Sequence, residues 1–140
     1  EVCQVIADQL RDAGVRTELV TQEFAIFWGQ EGVNGGKLSF YYVGRPAVDA
    51  DTLYEQYFRS GVTKRIQYKN PEFDKLIDEE QITGDMKKRV ELLRQAGRIL
   101  MEDVPYVPLY TLAEIYGVAE NVLWKATPGE RVLAYEMKIR

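Results

Sequence analysis

The sequence predicts an α/β domain in which helices flank a mixed β-sheet, and three observations support this. Helical and extended patterns alternate through the first half of the 140 residues. Two consecutive capped helices follow between Asn70 and Val104. Residues 106–112 then continue in an extended pattern that is typical of a strand. Since helices that alternate with strands usually pack on one sheet, we expect a single domain over residues 1–140.

The two central helices have clear start and stop signals. Asn70 can accept hydrogen bonds from the free amides of a first turn, and Pro71 suits the first helical position. Asp85 caps the second helix, which Pro105 ends because proline disfavours a helical residue before it. Apolar residues recur every three or four positions along this helix, as an amphipathic helix requires. They are Met86, Val90, Leu93, Gly97, Leu100, Met101 and Val104.

The N-terminal half is predicted to contain a helix, a strand, a short helix and a second strand. Residues 1–13 carry an apolar face and end at Gly14, and residues 15–21 alternate as a half-buried strand. Three aromatic residues then share one side of a short helix: Phe24, Phe27 and Trp28. Their spacing favours core packing over a stacking platform for a cofactor or nucleobase. Residues 37–44 are rich in aromatic and β-branched residues and suit a strand buried on both faces.

Composition argues against several functions. The net charge of -4 disfavours a nucleic-acid partner. The chain has no histidine, which removes the commonest metal ligand and the usual base of serine or cysteine nucleophiles, so we predict no metal and no cofactor. Cys3 is the only cysteine and is expected to be a small buried side chain on a helix. No apolar run is long enough to predict a transmembrane segment.

The junction between the second strand and the following helix is the candidate ligand site. Open α/β sheets bind ligands where the carboxyl ends of strands meet helix N-termini. The predicted ligand-binding residues are Tyr42, Val43, Gly44, Arg45, Asp49 and Asp51. Arg45 could hold a carboxylate in a two-pronged geometry. In the alternative interpretation Arg45 is exposed, and Asp49 and Asp51 only cap the helix.

Other charged and aromatic groups are expected to be structural. Four acids of the first central helix could suggest carboxylate catalysis: Asp74, Asp78, Glu79 and Glu80. Asp74 and Asp78 share the face opposite the apolar residues, which predicts a surface position and argues against catalysis. The basic residues are predicted to lie on the solvated side of the long helix: Lys87, Lys88, Arg89, Arg94 and Arg98. Three tyrosines are expected to fill the sheet rather than to reach a cleft: Tyr106, Tyr110 and Tyr116. Residues 132–139 alternate as a last strand.

Several motifs together resemble a known family. They are the Asn-Pro-Glu-Phe-Asp run from Asn70, the helix that closes on Asp-Val-Pro at Pro105, and the Val-Pro-Leu-Tyr strand that ends at Tyr110. Their order and spacing resemble the C-terminal lobe of ABC-transporter extracellular solute-binding proteins for peptides and nickel, family 5. The resemblance implies one lobe of a periplasmic-binding-protein-like fold. Asp49 and Asp51 match the two aspartates of an Asp-Pro-Asp motif that lines the cleft in this family.

The sequence also departs from the family pattern. Tyr42-Val43 stands where the family commonly has Gly-Trp, and Ala50 replaces the proline between the two aspartates. No acid occupies residues 45–47, where peptide binders often place an aspartate for the ligand's amino group.

The resemblance implies a protein that captures a peptide-like or other small solute between two lobes and delivers it to a membrane permease. It implies no enzymatic activity and a periplasmic or extracellular location, associated with the membrane through the transporter. Because the chain starts within a helical pattern, we expect a fragment of a longer protein, with the tail at 121–140 contacting the missing lobe. A small carboxylate-dependent enzyme, with shifted acids in a closed pocket, is one alternative, and a plain protein-interaction domain, with a large apolar patch, is another.

Overall fold

The computed structural model describes residues 1–44, 49–127 and 132–140. The α-helices of these residues are α1 (Val2–Asp12), α2 (Phe24–Trp28), α3 (Ala50–Tyr57), α4 (Pro71–Gln81) and α5 (Met86–Asp103). Two short strands, β1 (Val122–Leu123) and β2 (Lys138–Ile139), form an antiparallel pair with Val122 opposite Ile139. One turn of 3₁₀-helix, Ala134–Glu136, precedes β2.

Helices α3, α4 and α5 begin where the sequence predicts. Their N-caps are Asp49, Asn70 and Asp85, and each side chain accepts a hydrogen bond from a first-turn amide. The Asn70 carboxamide oxygen accepts from the backbone N–H groups of Glu72 and Phe73, at 2.9 and 3.1 Å. These bonds satisfy amides that the helix itself leaves unpaired.

The predicted end of α5 is also confirmed. Val104 adopts φ 50°, the left-handed conformation, and its N–H donates to the carbonyl of Leu100 at 3.0 Å. Pro105 follows and cannot continue the helix. A left-handed conformation is unfavourable for a β-branched residue, so this turn is strained.

The core lies where α3, α4 and α5 meet. Phe73 is fully buried, and its ring lies 5.7 Å from Tyr54 and 5.9 Å from Tyr68 in tilted, edge-on arrangements. Such arrangements are favourable between aromatic quadrupoles. The buried cluster consists of Tyr57, Phe58, Phe73, Ile77, Leu93, Ala96 and Leu100.

The buried face of α5 is only partly the one predicted. Leu93 and Leu100 are buried as expected, but Met86 and Met101 are 65% and 55% exposed. The buried residues of α5 are Leu92, Leu93, Ala96 and Leu100. Both sets recur at three and four residues, and contact with α3 and α4 determines which of them is buried.

The predicted mixed sheet is wrong for the described residues. They contain no strand at 15–21, 37–44 or 107–112, and the observed pair is antiparallel and short. Phe40, in the strongest predicted strand, is 75% exposed. Alternation predicts an extended backbone, but a strand also needs a neighbour to pair its N–H and C=O groups. Helices with a small sheet remain compatible with the α/β class.

The C-terminal tail differs from the prediction as well. Only Lys138 and Ile139 of the predicted strand at 132–139 are extended and paired, because a 3₁₀ turn interrupts it. The N–H of Arg140 donates to the carbonyl of Asn121 at 2.9 Å, which extends the pairing of β1 with β2. The described part of the tail therefore folds back on itself as a ribbon.

The aromatic residues of α2 are less buried than expected. Phe24 is 77% exposed, whereas Phe27 and Trp28 are half-buried with ring centroids 5.2 Å apart. A helix of five residues makes little more than one turn, so it buries few of its side chains. Among the described residues, no helix combines the length and hydropathy needed to cross a membrane.

Candidate functional site

The first part of the predicted site lies beside residues 110–112. The hydroxyl oxygens of Tyr42 and Tyr110 are 2.7 Å apart, and this hydrogen bond raises the pKa of Tyr42. A Cβ added to Gly44 would lie 3.5 Å from Leu112 Cδ1, so the two segments touch. Val43, which lies between Tyr42 and Gly44 in the sequence, is half-buried. Both tyrosines remain accessible, with Tyr42 37% and Tyr110 53% exposed.

The tyrosines of the C-terminal half divide between core and surface. Tyr110 was expected to fill a sheet, and that prediction is wrong because its segment has no strand neighbour among the described residues to cover it. Tyr106 is half-buried against Phe58, with ring centroids 5.0 Å apart, as expected of a core residue. Tyr116 packs edge-on against Trp124 at 5.1 Å.

Arg45 lies outside the described residues, so its proposed contact with an anionic group stays a prediction. Residues 45–48 connect the Tyr42 segment to α3 and are likewise not described. Within the described parts of the chain, no hydrogen bond or ion pair joins Tyr42 to Asp49 or Asp51.

Asp49 caps α3 and anchors it to α5. One Asp49 oxygen accepts the backbone N–H of Asp51 at 3.0 Å. The two terminal nitrogens of Arg89 donate to the Asp49 carboxylate at 2.8 and 3.1 Å. The Arg89 hydrogen bonds, with the Asp51 amide, lower the pKa of Asp49. This two-pronged geometry suits guanidinium and carboxylate and supports the predicted cap.

Glu80 completes this cluster from α4. Its side chain is 1% exposed and forms an ion pair with Nε of Arg89. Burial, followed by the neighbouring Asp51 carboxylate, raises the pKa of Glu80, while Arg89 opposes the change. The second Glu80 oxygen and one Asp51 oxygen are buried without a hydrogen-bond partner among the described residues. A proton on the Glu80 carboxyl would let it donate to Asp51 and satisfy both oxygens.

Glu80 is therefore buried, and Arg89 is only partly exposed, which departs from its predicted position on the solvated side of α5. Glu80 follows Phe73 and Ile77 by seven and three residues, which places it on the buried stripe of α4. That spacing was available in the sequence and could have identified it. The position of Arg89 could not be found this way, because only the packing of α5 on α4 brings it to Glu80.

The other acids of α4 have structural partners. Asp74 accepts the backbone N–H of Ser60 at 3.0 Å, and Asp78 forms an ion pair with Arg59. Asp78 is exposed, as predicted. The described residues contain no group of three or more histidine, cysteine, aspartate or glutamate side chains arranged to hold a metal ion.

The chain is similar to two peptide-binding proteins of Bacillus subtilis (strain 168). It is 32% identical to the oligopeptide-binding protein OppA over 71 residues, which are 51% of this chain and 13% of that protein. It is 23% identical to the dipeptide-binding protein DppE over 123 residues, which are 87% of this chain and 23% of that protein. The chain thus spans less than a quarter of the length of either relative.

No protein-family model matches the chain, and no solved structure matches it. Both relatives are named for binding. The similarity supports, in part, the family resemblance carried by the motifs between Asn70 and Tyr110.

Proposed function

We propose that this chain is the C-terminal lobe of a solute-binding protein that captures a peptide between two lobes and delivers it to an ABC-transporter permease. The protein would act in the periplasm or outside the cell, associated with the membrane through the transporter. The observation that carries the proposal is the similarity of 87% of the chain to part of a dipeptide-binding protein.

The distribution of apolar residues supports a second lobe. Residues 107–118 lie outside the helices and strands and carry several largely exposed apolar side chains, among them Val107 at 63% and Ile115 at 94%. The segment at 15–21, also outside the helices and strands, has Val20 66% exposed. Exposed apolar side chains of this kind can be covered by further chain, since contiguous apolar surface favours a partner. The tail at 121–140 would contact the same lobe.

We place the peptide-binding surface at Tyr42, Val43, Gly44 and Arg45. Tyrosine hydroxyls both donate and accept hydrogen bonds, so Tyr42 and Tyr110 can pair with the backbone of a peptide. Arg45 would hold the peptide's terminal carboxylate. Asp49 and Asp51 would border the ligand from the α3 N-terminus, where Arg89 holds Asp49 in place.

Isothermal calorimetry with alanine peptides of graded length tests this proposal in the full-length protein. Replacing Arg45 by alanine should weaken binding about tenfold, because a charge-assisted hydrogen bond is lost. Tyr42→Phe should weaken binding severalfold. Lys87→Ala is the matched control for the loss of a positive charge, since Lys87 is exposed on α5 and lies outside the site. If the Arg45 and Tyr42 variants bound the peptides as tightly as the control variant, neither residue would belong to the site.

A protein-interaction domain is the second candidate, favoured by the same exposed apolar residues. It predicts that alanine peptides release no heat at any length, while Ile115→Asp abolishes association with a protein partner. Saturable peptide binding that survives Ile115→Asp would exclude this candidate.

A further inference from the structure

An open groove of about 480 Å³ lies between α3 and α5. Its walls are Arg94, Arg98, Met101 and Glu102 of α5, together with Tyr54 and Tyr106. None of these residues belongs to the peptide-binding surface proposed above. Any ligand of this groove would therefore occupy a second site.

Gly97 gives the groove its floor. A Cβ added to Gly97 would come within 2.7 Å of the Tyr54 hydroxyl oxygen. Any larger residue would push Tyr54 away or fill the groove, because real Cβ atoms do not approach oxygen so closely. The approach of the Tyr54 hydroxyl to α5 thus depends on glycine at this position.

The groove is positively charged. Arg94 and Arg98 are four residues apart on α5, so they lie on the same face. No ion pair joins either of them to the described residues, whereas Lys88 and Arg89 of the same helix are both paired. Glu102 is the acid of the lining, which leaves the groove with a net positive charge.

The groove also has an apolar side and a free donor. Met101 is 55% exposed, and the Tyr106 ring is held in place by Phe58 at 5.0 Å. The Tyr54 hydroxyl makes no hydrogen bond to the described residues. Burial raises the pKa of Tyr54, so the hydroxyl keeps its proton at neutral pH and can donate it.

We propose that this groove binds a single carboxylate carried on an apolar group. Arg94 and Arg98 donate to the carboxylate, and the Tyr54 hydroxyl adds a third donor from α3. The apolar group lies against Met101 and Tyr106. Glu102 disfavours ligands with a second negative charge, because like charges at close range repel.

A nuclear magnetic resonance titration of the full chain with N-acetyl-leucine tests this proposal. The amide of Gly97 and the guanidinium N–H signals of Arg94 and Arg98 should shift and saturate. N-acetyl-leucinamide has the same shape without the charge and should bind at least about tenfold more weakly. Absence of saturable shifts at these positions, or equal affinity for the neutral amide, would overturn the proposal.

Charge variants distinguish a specific carboxylate site from non-specific electrostatic attraction of the anion to the protein. Arg94→Gln and Arg98→Gln should each lower the affinity for N-acetyl-leucine about tenfold. Lys87→Gln removes the same charge from the same helix, outside the groove, and should leave the affinity unchanged. Equal weakening by all three variants would contradict a specific site. The variant Gly97→Ala should also lose binding, because its side chain moves Tyr54.

Discussion

Arg89 of α5 donates hydrogen bonds from both terminal nitrogens to Asp49, the residue that caps α3. Its Nε forms an ion pair with the buried Glu80 of α4. One side chain thereby links three helices. The arrangement places the N-terminus of α3 relative to the core, and with it the aspartates of the predicted ligand site.

We predict that Asp49→Ala destabilises the protein more than Asp85→Ala. Both changes remove a helix cap, which costs about 1 kcal/mol. Only Asp49 also pairs with an arginine, and its loss leaves Arg89 with Glu80 alone. Because the Asp49 side chain is 42% exposed, the additional cost should stay below about 1 kcal/mol. Urea denaturation measures both variants, and equal values would contradict the prediction.

We predict that Glu80 makes stability fall as pH rises above its ordinary pKa of 4.5. Burial raises the pKa of Glu80, so the folded state holds a proton that the unfolded chain has already released. The contribution is complete below the unfolded pKa and is lost as pH rises through the folded one. Glu80→Gln cannot titrate and should flatten this part of the profile. Urea midpoints measured across the acidic range give the comparison.

The effect of Asp49 on stability has the opposite dependence on pH, and it falls in a separate pH range. Its lowered pKa contributes stability above the ordinary value of 3.8, and that contribution is lost as pH falls below it. The variant Asp49→Asn should therefore change the profile below 3.8 and leave the slope due to Glu80 unaltered. A loss of the Glu80 slope in this variant would mean that the two carboxyls titrate as one unit.

We predict that Leu100→Ala costs about 2 to 5 kcal/mol, because it opens a cavity in the core. Leu100 is fully buried, whereas the adjacent Met101 is 55% exposed. Met101→Ala should cost no more than about 0.5 kcal/mol and serves as the control. Chemical denaturation of both variants decides which apolar stripe of α5 faces the core, and the reverse order would refute the observed packing.

We predict that Val104→Gly stabilises the protein by up to about 1 kcal/mol. The left-handed conformation raises the conformational energy of valine at this position, whereas glycine adopts it without that cost. Val107→Gly is the control, because Val104 is the only non-glycine residue with positive φ in the described part of the chain. The control should destabilise or leave stability unchanged. Thermal unfolding that ranks the two variants equally would show that the turn is unstrained.

Sequence signals located the helices well because those signals are local. Asn70 and Asp85 cap the helices they were predicted to cap, and Pro105 follows the end of α5. Cap side chains bond to amides two or three residues away, so the pattern contains all the information needed. At the candidate site the same reasoning found the Asp49 cap.

Strands and side-chain partners were predicted less well because they depend on residues distant in sequence. The segment at 37–44 has strand composition, yet it pairs with no strand in the described residues. Tyr42 meets Tyr110 across 68 positions, a contact that no local pattern specifies.

The sequence by itself determined where helices α4 and α5 begin and where α5 ends, and it contained the motifs that resemble peptide-binding proteins. Only the tertiary structure decided that Glu80 and Arg89 are partners inside the protein and that Gly97 leaves a groove beneath Tyr54. The physical reason is that caps and turns are set by bonds between near neighbours. Burial, by contrast, is set by which surfaces of separate helices come into contact.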